Sequence, residues 1–346
     1  MKGPEMVASL AAGVASGACL PSDHIALSAS IMATAACITY ILIRSASIPW
    51  YMAALFLTGL CRGLAWKVGG GAEFQEWEFA TRSRMLLIQA IEDTGFGPVA
   101  EPIIKALISG DRSDVAPAVR DAFRSSGASH LLALSGMHLG IIYAMISRVL
   151  GLAGGHPVVV RIRSAMIISA CLFYAIITGA SPSIMRAFLF ILLRETALVT
   201  GRSTDPAGIF STALMLHLLF SPGSIMTPGF QLSYLAMAGI YLLFPKLKAI
   251  YPENRHDPIK KIWDIASLSI SCQTFTAPVA WYHFHSFPRW FLLTNMIAMP
   301  LASLLIPLAI LAIILHSIGL GTGMLTWGVD HLAGALTSAL GIIASM

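Results

Sequence analysis

The sequence predicts an all-α fold, a polytopic membrane bundle of about eleven transmembrane helices with amphipathic helices at the interface. Three observations carry this. Of the 346 residues, 56% are hydrophobic and only 11% are charged, with a mean hydropathy of +0.76; a soluble domain carries roughly 25% charged residues. Apolar runs of about 20 residues recur from end to end, each able to cross roughly 30 Å of hydrocarbon at 1.5 Å per residue. Backbone groups in lipid must be satisfied within the spanning element, so these runs read as helices.

Taken in order, spans near 5–20, 25–43 and 48–66 form an N-terminal group, residues 1–67. The opening "MKGPEMVASLAAGVASGACLPS" places Lys2 before a small-residue apolar run, as a signal peptide does. Glu5 spoils the basic flank and two further spans follow at once, so the run reads as a first transmembrane helix. Residues 68–128 are the sizeable polar segment. Within it, "EFQEWEFATRSRMLLIQAIEDTG" spaces Phe74, Trp77, Phe79, Leu86, Leu87 and Ile91 as a helix lying in the interface does. A second helix, "DVAPAVRDAFRSSG", is expected to start at Asp114 as N-cap and to stop before Gly127, with Arg120 and Arg124 one turn apart. The core, residues 129–346, holds spans near 129–150, 162–179, 184–200, 205–220, 230–245, 262–282, 290–315 and 322–345.

Orientation follows from the positive residues. With Lys2 in the cytoplasm, alternation puts Arg44, the Arg148–Arg163 connection, Arg202 and the loop "KLKAIYPENRHDPIKK" on the same side. The opposite loops, "SPGSIMTPG" and "HFHSFPR", share a single arginine, Arg289, as the positive-inside rule asks. The N-terminus is therefore expected inside and the C-terminus outside. Cys19, Cys37, Cys61, Cys171 and Cys272 lie scattered in apolar stretches without metal spacing and read as small apolar fillers. The pairs Gly13/Gly17, Gly59/Gly63 and Gly136/Gly140 suit close helix approach. No P-loop, internal repeat or cofactor motif occurs, and no cofactor or metal is expected.

Polar groups inside the apolar runs are the candidate site. In "SHLLALSGMHLG", Ser135 and His138 share a helix face, His130 lies about two turns earlier, and Gly136 permits a break or a close approach. Two readings stand: helices glued by hydrogen bonds, or a cavity lining. In "GASPSIMRAFLFILLRE", Arg186 falls within a span one turn after Ser183. An intramembrane arginine costs several kcal/mol unless it snorkels, meets water or pairs. Gln231 in "GFQLSYLAMAGI", Ser271 and Gln273 in "SLSISCQTFTAP" and Asn295 in "LLTNMIAMP" repeat the habit. Ser267, Ser271 and Thr274 make one stripe, which lines a cavity or back-bonds to its own helix. His283 and His285 lack a third ligand and read as interfacial residues, and Asp330 with His331 reads as a helix–helix contact rather than a proton relay.

Four blocks together resemble the competence domain of the ComEC family, bacterial inner-membrane proteins that pass single-stranded DNA into the cytoplasm during natural transformation. They are "GDRSDVAPAVRDAFRSSGASHLLALSGMHLG", "TGASPSIMRAFLF", "PGFQLSYLAMAGI" and "CQTFTAPVAWYHFHSFPRWFLLTNMIAMP". The resemblance implies a channel or permease for single-stranded DNA without a chemical step of its own. It implies a DNA path lined by His130, Ser135, His138, Ser183, Arg186, Gln231, Ser271, Gln273 and Asn295, with Asp111, Arg112 and Arg124 as an external motif. Members carry an external OB-like domain and a metallo-β-lactamase-like domain; neither is expected within residues 1–346, where no HxHxDH cluster occurs. The implied partners are therefore single-stranded DNA, the bilayer, a DNA-receptor protein, a separate nuclease, a cytoplasmic ATPase and a second copy of the chain. The alternatives are a transporter for another solute on the same scaffold, or an intramembrane serine hydrolase using Ser135 with His138.

Overall fold

The computed structural model describes residues 9–14, 78–152, 154–202, 204–251, 257–285 and 289–346. The expected spans near 25–43 and 48–66, and most of the first, lie outside these residues, as do Phe74 and Trp77. Among the described residues every regular element is helical and no strand occurs. The chain divides into two compact units, residues 1–75 with 200–237, and residues 76–199 with 238–346.

The second unit contains the interfacial segment and most of the core. Helix α1 spans Glu78–Asp93. A glycine turn with Gly95 at φ +76° leads into α2, Ala100–Ile108, a helix absent from the sequence expectation. Helix α3, Pro117–Ser125, starts with Pro at its first turn and Ala116 as N-cap. Asp114 is thus not the cap. Its carboxylate is engaged elsewhere, as described below.

The expected span 129–150 is broken. Ser129–Leu132 forms a single turn, α4, and Gly136–Gly151 forms α5; between them Ala133 is extended, with ψ 129°, and Ser135 is extended at φ −125°, ψ 164°. Helices α6, Pro157–Ile177, and α7, Pro182–Val199, follow. In the first unit, α8, Pro206–Phe220, is capped by Asp205, which accepts from the Gly208 N–H, and a 3₁₀ turn, Pro222–Met226, leads to α9, Pro228–Leu242. Helix α9 runs on into the second unit. There, α10, Phe244–Lys248, precedes the two longest helices, α11, Pro258–Phe284, and α12, Phe291–Ser317; α13, Gly323–Ala344, ends the chain.

Two of these helices, α6 and α12, are long and apolar enough to cross a membrane. Helices α5 and α8 are equally apolar in character but shorter. Helix α7 carries Arg186, Arg194 and Glu195, while α11 opens with Lys260, Lys261 and Asp264. Three charges set α7 apart, whereas α11 is charge-free beyond Asp264 and is set apart by its Ser, Thr and Gln side chains. Pro278 in α11 and Pro300 with Pro307 in α12 lie inside their helices, where each removes one backbone hydrogen bond.

Packing in the second unit pairs α12 with α13, and α7 with both α5 and α6. Helix α2 is enclosed. Residues Ile103–Ser109 are all buried, and the helix packs against α1, α12 and α13. Its C-terminal carbonyl at Ile108 accepts from the Tyr174 hydroxyl at 2.9 Å, and the turn before it donates Gly97 N–H to Asp330 Oδ1 at 2.8 Å. A β-carbon on Gly97 would sit 3.0 Å from the Asp330 carboxylate, so glycine is what lets the turn approach. Asp330 therefore ties α13 to a turn rather than to the flank of another helix.

Small residues allow two further close approaches. A β-carbon on Gly136 would lie 3.0 Å from Ala187 Cβ, which fits the close-packing role expected of that glycine; at Gly140 nothing approaches. Gly239 lies directly against the Ser271 carbonyl of α11, closer than any side chain permits.

Candidate functional site at the broken helix

The break at Ala133–Ser135 exposes the N-terminus of α5, whose first amides have no partner within the helix. Ser135 is the N-cap. Its backbone N–H donates to His138 Nδ1 at 3.0 Å, the return arm of a capping box in which histidine takes the place usually held by Glu or Gln. The Ser135 hydroxyl lies 3.1 Å from the same nitrogen. Because Nδ1 accepts, the neutral ring carries its proton on Nε2. That nitrogen is buried and makes no well-formed hydrogen bond, and the whole of His138 is sealed from solvent.

A second helix start meets the first. Gly179 at φ +79° and Ala180 at φ +46° turn the chain sharply out of α6, and α7 begins at Pro182. The Gly136 N–H donates to the Ser183 hydroxyl at 3.3 Å. Two helix N-termini, each equivalent to about half a positive charge, thus lie side by side. Arg186, one turn into α7, is 4% exposed. Ser135, His138 and Ser183 meet at two helix starts in the same compact unit, with Arg186 one turn further along α7.

The turn that precedes Asp111 packs against this place. Gly110 has φ +79°, and a β-carbon there would collide with Leu134 in the break itself. Asp111 Oδ1 accepts the Ser113 N–H at 3.0 Å, and those bonds from Ser113, main chain first and hydroxyl second, hold the Asp111 carboxyl below its ordinary range. Arg112, Arg124 and His130 are exposed, and His130 Nδ1 lies 3.2 Å from the Gly127 carbonyl. Thr294 Oγ1 donates to the Ser126 carbonyl at 2.7 Å, which places the start of α12 at the same end. Asn295 is the next residue and is half-buried.

The remaining candidates make other contacts. Ser271 donates to the Ser267 carbonyl at 2.7 Å and Thr274 to the Ile270 carbonyl at 2.7 Å, so two members of that stripe back-bond to their own helix. Gln273 is half-buried on α11. Gln231 belongs to the first unit and donates to the Ile225 carbonyl at 2.9 Å. Nearby, His217 packs edge-on against Phe230 and Tyr234, its Nδ1 lying 3.2 Å from the Tyr234 hydroxyl.

One site was invisible in the sequence. Lys105 is 5% exposed, and its ammonium contacts Glu92 at 2.7 Å, Glu101 at 2.9 Å and Asp114 at 3.0 Å. Burial opposes the charge, yet the three carboxylates outweigh it and hold Lys105 above the ordinary lysine range. Only the Glu101 spacing, one turn before Lys105, could have flagged it. Among the described residues no group of three or more His, Cys, Asp or Glu is arranged to hold a metal ion.

These features define an all-helical protein with membrane-length helices and a polar break flanked by two helix starts and a buried arginine. The chain belongs to the competence protein family, whose pattern it matches over residues 107–346. It is similar to ComE operon protein 3 of Bacillus subtilis, 29% identical over 234 residues that make up 66% of this chain and 28% of the relative. It is likewise similar to competence protein ComA of Neisseria gonorrhoeae, 29% identical over 216 residues, 60% of this chain and 30% of the relative. The uncharacterized protein YcaI of Escherichia coli is 25% identical over 227 residues, 63% of this chain and 29% of its own length. The matched region thus spans less than a third of each relative. No solved structure matches the chain.

Proposed function

We propose that this chain passes single-stranded DNA across a bacterial inner membrane during natural transformation, as a multi-pass channel or permease with its N-terminus cytoplasmic. Kinship with proteins named for competence supports the DNA-uptake role, and two apolar helices support membrane residence. The observation that carries the reading is the juxtaposition at the broken helix: the α5 and α7 starts, Ser135, Ser183, His138 and the buried Arg186 concentrate positive potential and hydrogen-bond donors. Irregular backbone at such depth persists where it is buried in protein or lines a hydrated cavity. Helix starts facing a cavity are ready-made sites for phosphate oxygens.

A strand carrying one phosphate charge per nucleotide needs enough attraction to enter and too little to be trapped. One buried arginine with serine hydroxyls meets both demands, and exposed Arg112 and Arg124 at the same end supply the approach. The capping box argues against the hydrolase reading, since Nδ1 already receives the Ser135 N–H and has no free lone pair with which to activate the hydroxyl. Pulling force, strand degradation and DNA capture fall to separate proteins in this reading.

The test is passage of labelled single strands into proteoliposomes containing the purified protein. Arg186→Ala is expected to lower passage about tenfold or more, the loss of one charge-assisted phosphate contact, with insertion intact. Passage unchanged by Arg186→Ala would remove the broken helix from the path. Passage of small anions but not strands would favour a solute transporter.

A further inference from the structure

The end of α5, α6 and α7 opposite the broken helix is basic and apolar at once. Tyr143 of α5 and Ser164 of α6 donate to the Glu195 carboxylate of α7 at 2.7 and 2.6 Å, which fixes the C-terminal halves of α5 and α7 beside the N-terminal half of α6. Arginines surround this junction. Arg194 stands next to Glu195, Arg163 next to Ser164 with Arg161 two residues before it, and Arg148 lies five residues past Tyr143. Arg148, Arg161 and Arg194 are exposed and Arg163 is half-buried. None of the four is in an ion pair among the described residues. The Arg194 guanidinium carbon lies 5.4 Å from the centroid of the Tyr143 ring, which holds that side chain at the same place. Glu195 is the only carboxylate on the three helices, and it is buried. Between the arginines along the chain, Val149, Leu152, Val158 and Ile162 are each more than half exposed.

Water suits the arginines and not the side chains between them, and hydrocarbon the reverse. A layer of anionic phospholipid suits both: its phosphate oxygens accept the paired N–H donors of a guanidinium, and its acyl chains cover valine, leucine and isoleucine. Helix α6, with 21 residues, is about 31 Å long, close to the thickness of the hydrocarbon core, so its first turns lie near the headgroups. The stems of Arg161 and Arg163 carry their charge the remaining distance. We propose that this end of the three helices is a binding surface for anionic phospholipid, its four arginines holding the phosphodiester headgroups and its exposed aliphatic side chains the acyl chains. The positive-inside rule accounts for the side such an end faces; it assigns no lipid. The phosphates of a nucleic acid strand carry the same chemistry. Residues 148–163 and 192–199, however, hold no Phe, Tyr or Trp on which bases stack. The proposal rests on membrane residence and not on strand passage.

The full chain is purified in neutral detergent, and its unfolding temperature is followed as phosphatidylglycerol, phosphatidylcholine or an oligothymidylate is added. Phosphatidylglycerol is expected to raise that temperature at a concentration about tenfold or more below that of phosphatidylcholine. The advantage should fall about fivefold in Arg148→Gln and again in Arg161→Gln, the share of one arginine near an anionic surface. Arg120→Gln, which removes an exposed arginine of α3 at the other end, is expected to keep it whole. Raising the salt from about 0.1 M to 1 M shortens the screening length from about 10 Å to 3 Å and should shrink the advantage in the wild type, a readout that needs no variant. Equal action of the two lipids on the wild type overturns the surface. So does an advantage that Arg148→Gln and Arg161→Gln both retain, or one that Arg120→Gln loses equally. Stabilisation by oligothymidylate without phosphatidylglycerol makes this end a strand contact instead. A chain that floats with vesicles of neither lipid overturns membrane residence, and this surface with it.

Discussion

Lys105 shows how much a single side chain organises in the polar segment. Three carboxylates converge on its ammonium; two of them come from outside α2, Glu92 from α1 and Asp114 from the approach to α3. Removing the cation while leaving its partners costs more than losing a surface pair and less than breaking a fully buried one, because Glu92 and Asp114 are about half exposed. Lys105→Met is expected to lower stability by about 1–3 kcal/mol, checked by denaturant or thermal unfolding in detergent. The pH sign follows from the raised folded-state value. The contribution of Lys105 is complete below the free-lysine value of about 10.4 and is lost only as alkali passes through the folded value. The wild type and Lys105→Met should therefore keep a constant stability gap from pH 6 to pH 9, closing in stronger alkali. Asp111 behaves oppositely, its depressed value adding stability above about pH 4 that is lost as acid passes through the folded value.

Among the elements, α2 departs most from expectation. A surface helix was foreseen on either side of it, but a nine-residue helix enclosed by α1, α12 and α13 was not. Its two ends are pinned by Tyr174 and Asp330, partners 66 and 233 residues away. Asp330→Ala strands the Gly97 N–H in a partly buried turn, a loss of about 1–3 kcal/mol for a bond to a charged acceptor. Amide exchange should accelerate across residues 94–108 while α6 and α7 keep their protection; uniform acceleration would show that the contact holds the whole unit instead. The broken span at 133–135 is the second departure. Ser135 and Gly136 carried the signal, an N-cap residue followed by glycine, within a run apolar enough to pass as one helix.

At the scale of the whole molecule, the placement of positive residues sets the expected topology. The positive loop ending at Lys260 and Lys261 and the exposed Arg112 are expected on opposite sides of the membrane. Cysteines placed singly at 112 and 261, in a chain freed of its native cysteines, should divide in intact cells. Position 112 is expected to react with a membrane-impermeant maleimide from the periplasm, position 261 only after lysis. Equal labelling at both would refute the proposed orientation.

The sequence alone determined that the chain is helical, where most core helices lie and which polar residues sit at odds with their surroundings. Helix boundaries at 157–177, 182–199, 206–220, 291–317 and 323–344 fall within a few residues of the apolar runs that announce them, since burial of a continuous apolar stretch is a local property. It also marked Ser135, His138, Ser183 and Arg186 among nine polar residues expected to line one path. Tertiary structure decided which of those groups meet: Gly136 with Ser183 across 47 residues, and Tyr143 and Ser164 with Glu195 across 52 and 31. Partner choice between helices depends on packing angle and depth, which no periodicity within one helix records. Hence nothing in the sequence singles out Glu195, on whose carboxylate three helices meet.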